Sequence, residues 1–409
     1  MRQVTTIFEQ ILDYSSRANP YPLYAELRTT PVRREEDGTY VVSTHREIVA
    51  LFHDPRISSD RRNRAGRTSS AAADDVLGGF IGLDPPDHDR LRRQSTRHFG
   101  PPHSPTRIDG LRPWLAETVT SLIDGFADRN RVDIVDDFAY PFPVSAICKV
   151  LGVPREDEPR FRPWMEAINE TIDPRDPDLT RNPEQRRKRD QATSELRQYL
   201  GELVDTHSRE PDDDLLSGLV SDPGSPGPLS REDVVGIARL LLFAGHETTV
   251  NLITNGMLTL LRHPDLLERL RRQSDLVIPT VEELLRYEPP VQLLPNRTAL
   301  DDIDIAGTTI AKGSPVVLVL ASGSRDPNRF RDPDRFDPER RDNQHLGFGS
   351  GIHYCFGAPL AREETQIALT ELARRLENPR LVADPPQYRP NPVLRGPRHL
   401  VVEFDRLMA

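Results

Sequence analysis

The chain is poor in cysteine and in aromatic side chains and has no long apolar run, and each shortage removes a class of protein. Cys148 and Cys355 are its two cysteines in 409 residues. They lie in very different contexts, so neither a disulfide framework nor an oxidising compartment is expected. Residues 1–28 carry charges and prolines, with no apolar stretch long enough for a secretory signal or a membrane span. The expectation is a soluble, cytoplasmic protein with no membrane anchor. The net charge is −10, and the basic residues, almost all arginine, are scattered rather than gathered in a tail. Nucleic acid is therefore not an expected partner. Internal repeats and low-complexity tracts are absent.

What the chain does have is apolar periodicity cut by prolines. The 38 prolines fall between helical patterns, which argues for many short connections and no long linker, and 36% hydrophobic residues suffice for a large core. Apolar positions 108, 111, 115, 119, 122 and 126 form a helical stripe. Residues 143–151 read as a buried helix with Cys148 as a small apolar core residue, and 157–170 and 184–207 as helices joined by the Asp/Pro-rich stretch 173–183. Residues 32–43 alternate around Asp37-Gly38, a β-hairpin signature. The longest pattern opens at Ser230, with Asp233 three residues on as a variant capping box, and runs to about residue 262. About thirty helical residues span on the order of 45 Å. Residues 56–75 contain hardly a large apolar side chain and read as a surface loop or a lid over a pocket.

Around Cys355 the chain reads Phe348-Gly349-Ser350-Gly351-Ile352-His353-Tyr354-Cys355-Phe356-Gly357, followed by a helical pattern over 358–377. A thiol at a helix N-terminus is biased toward thiolate by the unpaired amides and the helix dipole. Glycines let the backbone approach a flat partner closely. With no CxxC or CxxCH, tetrahedral zinc and covalent haem attachment are disfavoured, and one thiolate suits a single axial bond to haem iron. A buried structural cysteine in a turn is the competing reading.

The run resembles the haem-binding loop of the cytochrome P450 family, whose pattern Phe-x-x-Gly-x-His-x-Cys-x-Gly it matches at every defined position. Other stretches resemble the family in the expected order. His88 and Arg92, four apart on one helical face, are similar to the pair that binds haem propionates, and Arg297 and His353 are implied in the same role. Arg90, Arg93 and Arg97 are expected to point away from that face, free for solvent or a partner. Ala244-Gly245-His246-Glu247-Thr248 resembles the oxygen-activation motif, with Thr248 and Glu247 as the implied proton-delivering pair and a local widening of the helix expected there. A zinc-protease reading of His246-Glu247 fails because Val250 stands where a second histidine is needed. Glu283 and Arg286, with Arg340, resemble a structural network behind the haem loop.

The resemblance implies a mainly α fold with small β-sheets (α+β), one domain over 1–409 with no fused reductase, and a long central helix over the haem. Phe348, Gly349, Ala244, Gly357 and Cys355 would contact the cofactor, haem b, with Cys355 as axial ligand. Phe80, Ile81, Leu241, Ala244, Leu293, Leu294 and Val393 are expected to line a pocket for a bulky, mostly apolar molecule such as a polyketide or macrolide, a terpenoid or a steroid. The implied reaction inserts one atom of O2 into a C–H bond, or epoxidises, in secondary metabolism. Electrons would come from NAD(P)H through a reductase and a ferredoxin, docking on some of Arg90, Arg93, Arg97, Arg341 and Arg362. The same fold also serves oxidative coupling, peroxide-driven oxidation or haem sensing without catalysis.

Overall fold

A computed structural model describes residues 6–64, 78–100, 105–172, 174–175, 182–223 and 227–408. Most of the expected lid, residues 65–75, and most of the 173–183 connection lie outside the described residues.

The helices in chain order are α1 (Ile7–Leu12), α2 (Tyr21–Leu27), α3 (His45–Phe52), α4 (Asp87–Phe99), α5 (Pro105–Asp124), α6 (Pro141–Leu151), α7 (Glu158–Asn169), α8 (Pro183–Arg209), α9 (Leu215–Ser221), α10 (Arg231–Leu261), α11 (Pro264–Arg272), α12 (Val277–Tyr287), α13 (Leu320–Gly323) and α14 (Ala358–Arg375). The strands are short: β1 (Val32–Arg34), β2 (Tyr40–Val42), β3 (Ile57–Ser58), β4 (Arg131–Asp133), β5 (Leu294–Ala299), β6 (Ile303–Ile305), β7 (Thr308–Ile310), β8 (Pro315–Leu318), β9 (Arg380–Leu381) and β10 (Val401–Glu403). The mainly α character with small sheets is as expected, and so is the hairpin of β1 and β2, with Val32 opposite Val42. The helices α9 and α11 and the strand β3 were not anticipated.

The chain divides into two compact units. The first comprises Met1–Ile57, Pro113–Phe142 and Glu247–Ala409. It holds a sheet in which β2 pairs in parallel with β8, Tyr40 beside Val316, and β8 pairs antiparallel with β5. Ile48 and Leu51 of α3 pack on its apolar face with Val42, Val316 and Leu318, all essentially inaccessible to solvent. Removal of such side chains from water is the main term holding this layer together. Helices α11 and α12 pack against α14.

The second unit comprises Ser58–Arg112 and Pro143–His246, with α7 packed on α8, and α9 on both α8 and α4. Cys148 is buried there, and burial pushes its thiol up, in keeping with an apolar core role. Helix α10 runs through both stretches of chain. Its start is capped reciprocally: Ser230 N donates to Asp233 Oδ2 and Asp233 N to Ser230 Oγ, both at 3.1 Å. The expected widening near Gly245 is not formed, and α10 is α-helical from Arg231 to Leu261.

Candidate functional site

In the first unit, the segment after Leu346 turns back on itself before α14 begins. Cys355 N donates to Phe348 O at 2.9 Å, which closes the loop, and Tyr354 N donates to Gly351 O at 3.1 Å. Gly351 has φ of +68°, and a Cβ there would stand 2.3 Å from Phe52 O, so only glycine fits this turn. Phe348, Gly349, His353, Cys355 and Gly357 are thus gathered in one loop. Cys355 is of intermediate exposure, and Gly357 is the N-cap of α14.

Two braces hold this loop, both rooted in α12. Glu283 and Arg286 form a fully buried pair at 2.7 Å, and Arg340 Nε lies 3.4 Å from Glu283 Oε1. Arg286 also donates to the carbonyls of Ser324, Pro333 and Arg335 at 3.1, 2.6 and 3.0 Å. The pair therefore grips the backbone that leads into the cysteine loop. Neighbouring Glu282 accepts from Arg362 at 2.7 and 3.0 Å and meets His345 Nε2 at 3.2 Å. Burial works to raise the Glu282 carboxyl, but the hydrogen bonds from His345 and Arg362 prevail and hold it down at about 2. The guanidinium of Arg362 lies 4.6 Å from the Phe348 ring centroid, which ties α14 to the loop. Neither Glu282 nor its bond to Arg362 was anticipated, since the two are distant in the chain and no local pattern joins them.

Also in the first unit, Arg297 is buried on β5, opposite Val316 of β8. Leu293 is buried and Leu294 partly so, and Gln292 N donates to Val393 O at 2.8 Å, which brings Leu293 and Val393 into adjoining segments. Glu247 and Thr249 are buried on α10. Glu364 of α14 is buried, which raises its carboxyl well above the usual carboxylate range, with Thr249 opposing the shift. Helix α10 has a further peculiarity. From residue 237 to 260 every position is buried except Ala244, Gly245 and Thr248. Spaced by three and four, these share one face of the helix.

In the second unit, Phe80, His88 and Arg92 meet. The His88 ring stands edge-on to Phe80 at 6.0 Å, and the Arg92 guanidinium lies 5.7 Å from the same ring centroid. His88 is buried, with Nδ1 2.8 Å from Asp89 Oδ1. Phe80 follows Gly78 and Gly79, both at positive φ, where any Cβ would strike Arg239, Leu240 or the Gly236 carbonyl of α10. Ile81 is partly exposed beside Phe80, and Leu241 is buried on α10. The expectation that Arg90 and Arg97 are free is corrected: Arg90 Nη1 lies 3.1 Å from Asp233, and Arg97 Nη1 3.6 Å from Asp222. Both are drawn to acids at the ends of neighbouring helices, one of them the capping residue of α10. Arg93 is exposed.

These features test whether a haem fits. Cys355 supplies one thiol and no second ligand: among the described residues the one group with metal-ligand spacing is Asp133, Asp136 and His399, which excludes it. Two residues on, a Cβ at Gly357 would meet nothing within 4 Å, so the backbone there borders open space. The residues fit a flat group bound through a single axial thiolate.

A mainly helical fold built around such a loop defines the haem-thiolate class. Residues 7–404 match the family profile described as Cytochrome P450. The chain belongs to the cytochrome P450 family, whose members bind haem and act as monooxygenases. It is 39% identical to Cytochrome P450 monooxygenase PikC of Streptomyces venezuelae, over 99% of this chain and 97% of that one. It is 37% identical to the Vitamin D(3) 25-hydroxylase of Pseudonocardia autotrophica, with 92% of each covered. Identity to the 6-deoxyerythronolide B hydroxylase of Saccharopolyspora erythraea is 36%, over 94% and 96%. Among solved structures, Mycobacterium smegmatis CYP164A2 in its ligand-free state superposes with a TM-score of 0.88 at 37% identity, over 98% of this chain and all of that one.

Proposed function

We propose that this chain is a single-domain, cytoplasmic monooxygenase that hydroxylates a bulky, mostly apolar small molecule of the polyketide, macrolide or steroid kind. The observation that carries this reading is the face of Ala244, Gly245 and Thr248, the accessible positions in the otherwise buried stretch from residue 237 to 260 of α10. A hydroxyl kept accessible there, beside a buried acid, is what proton delivery away from bulk water requires. The relatives named as hydroxylases of 6-deoxyerythronolide B and vitamin D(3) support the substrate class. No described helix is long and apolar enough to cross a membrane.

In this reading the Cys355 thiolate holds haem b, while His88, Arg92, Arg297 and His353 neutralise its propionates. Bound there, the haem supplies the activation of O2 and the oxidising power for a C–H bond. Thr248 donates a proton and Glu247 replenishes it. Leu241, Ala244, Phe80, Ile81, Leu293, Leu294 and Val393 exclude water and orient the apolar guest. Electrons arrive from NAD(P)H through a reductase and a ferredoxin. Ile352 and Tyr354, 48% and 40% exposed on either side of His353, offer the ferredoxin an apolar anchor beside Arg362, with Arg93 and Arg341 as exposed cations.

The test has two arms. Carbon monoxide added to the reduced protein should give the absorption maximum of a thiolate-ligated haem. NADH-driven turnover with a plant-type ferredoxin and reductase, on a panel of macrolides, secosteroids and fatty acids, should give a hydroxylated product. A thiolate spectrum with no product under NADH, but product under hydrogen peroxide, would replace this reading by peroxide-driven oxidation. Neither product would leave a haem sensor.

A further inference from the structure

Near the C-terminus, residues 387–398 form a hairpin. Arg398 N donates to Gln387 O at 2.7 Å and Arg389 N to Gly396 O at 3.0 Å, and Tyr388 and Pro397 form an antiparallel bridge. Its tip is wound around Asn391, whose Oδ1 accepts from Val393 N at 2.8 Å and Leu394 N at 3.2 Å. This hairpin meets α10 at three places. Arg389 Nε lies 3.2 Å from Glu247 Oε1. A Cβ on Gly396 would stand 2.1 Å from Asn251 Oδ1, so the hairpin backbone is pressed onto that side chain. Asn255 Nδ2 donates to Arg395 O at 3.0 Å.

Glu247, Asn251 and Asn255 are spaced by four and lie in one row along the helix. Three contacts along one row fix the register of the hairpin on the helix, which a solitary surface ion pair does not do. The pair at the head of the row is also well shielded: the side chains of Glu247 and Arg389 are 6% and 13% exposed. In such surroundings each charge is poorly tolerated without the other. Arg389 thus ties Glu247 to a hairpin that carries Val393 and Leu394 at its tip.

We propose that Arg389 is a positioning residue for oxygen activation: it holds the Glu247 carboxylate, and an apolar guest pressing on Val393 and Leu394 shifts that hold and so sets the freedom of Glu247 to move a proton. This rests on the reading of Glu247 as the acid behind Thr248. It gives the chain a link between an occupied pocket and proton delivery, so that reducing equivalents are not spent on peroxide when the pocket is empty.

The test uses the haem-loaded protein with R389Q, R389K, E247Q and the R389Q/E247Q double variant. Hydrogen exchange of the 389–396 amides, read in the resting protein without turnover, should quicken by on the order of tenfold in R389Q and in E247Q, with no further gain in the double variant. R389K should stay near the parent. With ferredoxin and reductase, R389Q should raise peroxide released per NADH about threefold and change the solvent isotope effect on NADH consumption, but only where Glu247 is present. Additive exchange effects, or an R389Q isotope effect equal to that of the parent, would overturn the role of Arg389 alone. A parent protein that consumes no NADH would overturn the oxygenase reading and the catalytic half of this one, with the exchange data still deciding whether the pair holds the hairpin.

Discussion

Arg362 grips both oxygens of Glu282, Nε to Oε1 at 2.7 Å and Nη2 to Oε2 at 3.0 Å, while its guanidinium lies over Phe348. One side chain thus joins α14, the helix after the cysteine, to α12 and to the first residue of the loop. The acid of this pair titrates far below the usual 4.5, at about 2. A carboxyl depressed on folding contributes stability that is fully present above its unfolded pKa and is lost as pH falls through the folded one. The stability advantage of the parent over E282Q, measured by denaturant unfolding, should be constant above about pH 5 and shrink steadily between about 4.5 and about 2. An advantage independent of pH across that window would refute the linkage.

Glu283 sits one residue on and serves the inner brace. Truncation in E283A leaves the Arg286 charge buried against carbonyls alone, which should cost about 3–5 kcal/mol in the urea unfolding of the haem-loaded protein. E283D, which retains the charge, should lose less. A loss under about 1 kcal/mol for E283A would mean that Arg286 is satisfied by the backbone.

The two glycines of the loop should behave oppositely. G351A forces a side chain into positive φ and against Phe52 O, and should destabilise even the haem-free protein by roughly 1–3 kcal/mol. Gly357 has φ of −81° and open space around it, so G357A should leave the haem-free protein unaltered. Its effect should emerge only as weakened haem retention, followed by transfer of haem to apomyoglobin.

T248A removes the hydroxyl from the accessible face of α10. The carbon monoxide spectrum should be unchanged, while product formed per O2 consumed falls about tenfold or more and peroxide accounts for the difference. Unaltered coupling would remove Thr248 from proton delivery.

Much of this arrangement is legible in the amino-acid sequence, and the reason lies in how locally each feature is encoded. The cysteine loop, the Ser230–Asp233 cap, the β1–β2 hairpin and the Glu283–Arg286 pair each occupy a few consecutive residues, where spacing and turn chemistry decide the geometry. Arg389 on Glu247, Arg362 on Glu282 and Arg90 on Asp233 join residues far apart in the chain. Nothing in the local pattern distinguishes these arginines from the many that face water. Arg90 and Arg97 meet acids for that reason where the sequence leaves them free, since a helical face predicts direction and not what stands opposite. The helix α10 shows a third case, in which glycine and threonine suggest a local widening and the helix stays α-helical through a buried stretch.

The sheet of the first unit places Tyr40 beside Val316. On the ribosome, β2 therefore emerges long before the strand it will lie against, by tens of seconds at about 5–20 residues per second. Through that interval the β1–β2 hairpin has only itself to pair with, its free edge open to other chains. Production of this protein should thus respond to translation rate and to chaperones more than its final stability suggests, and slower synthesis would lengthen the exposed interval rather than relieve it.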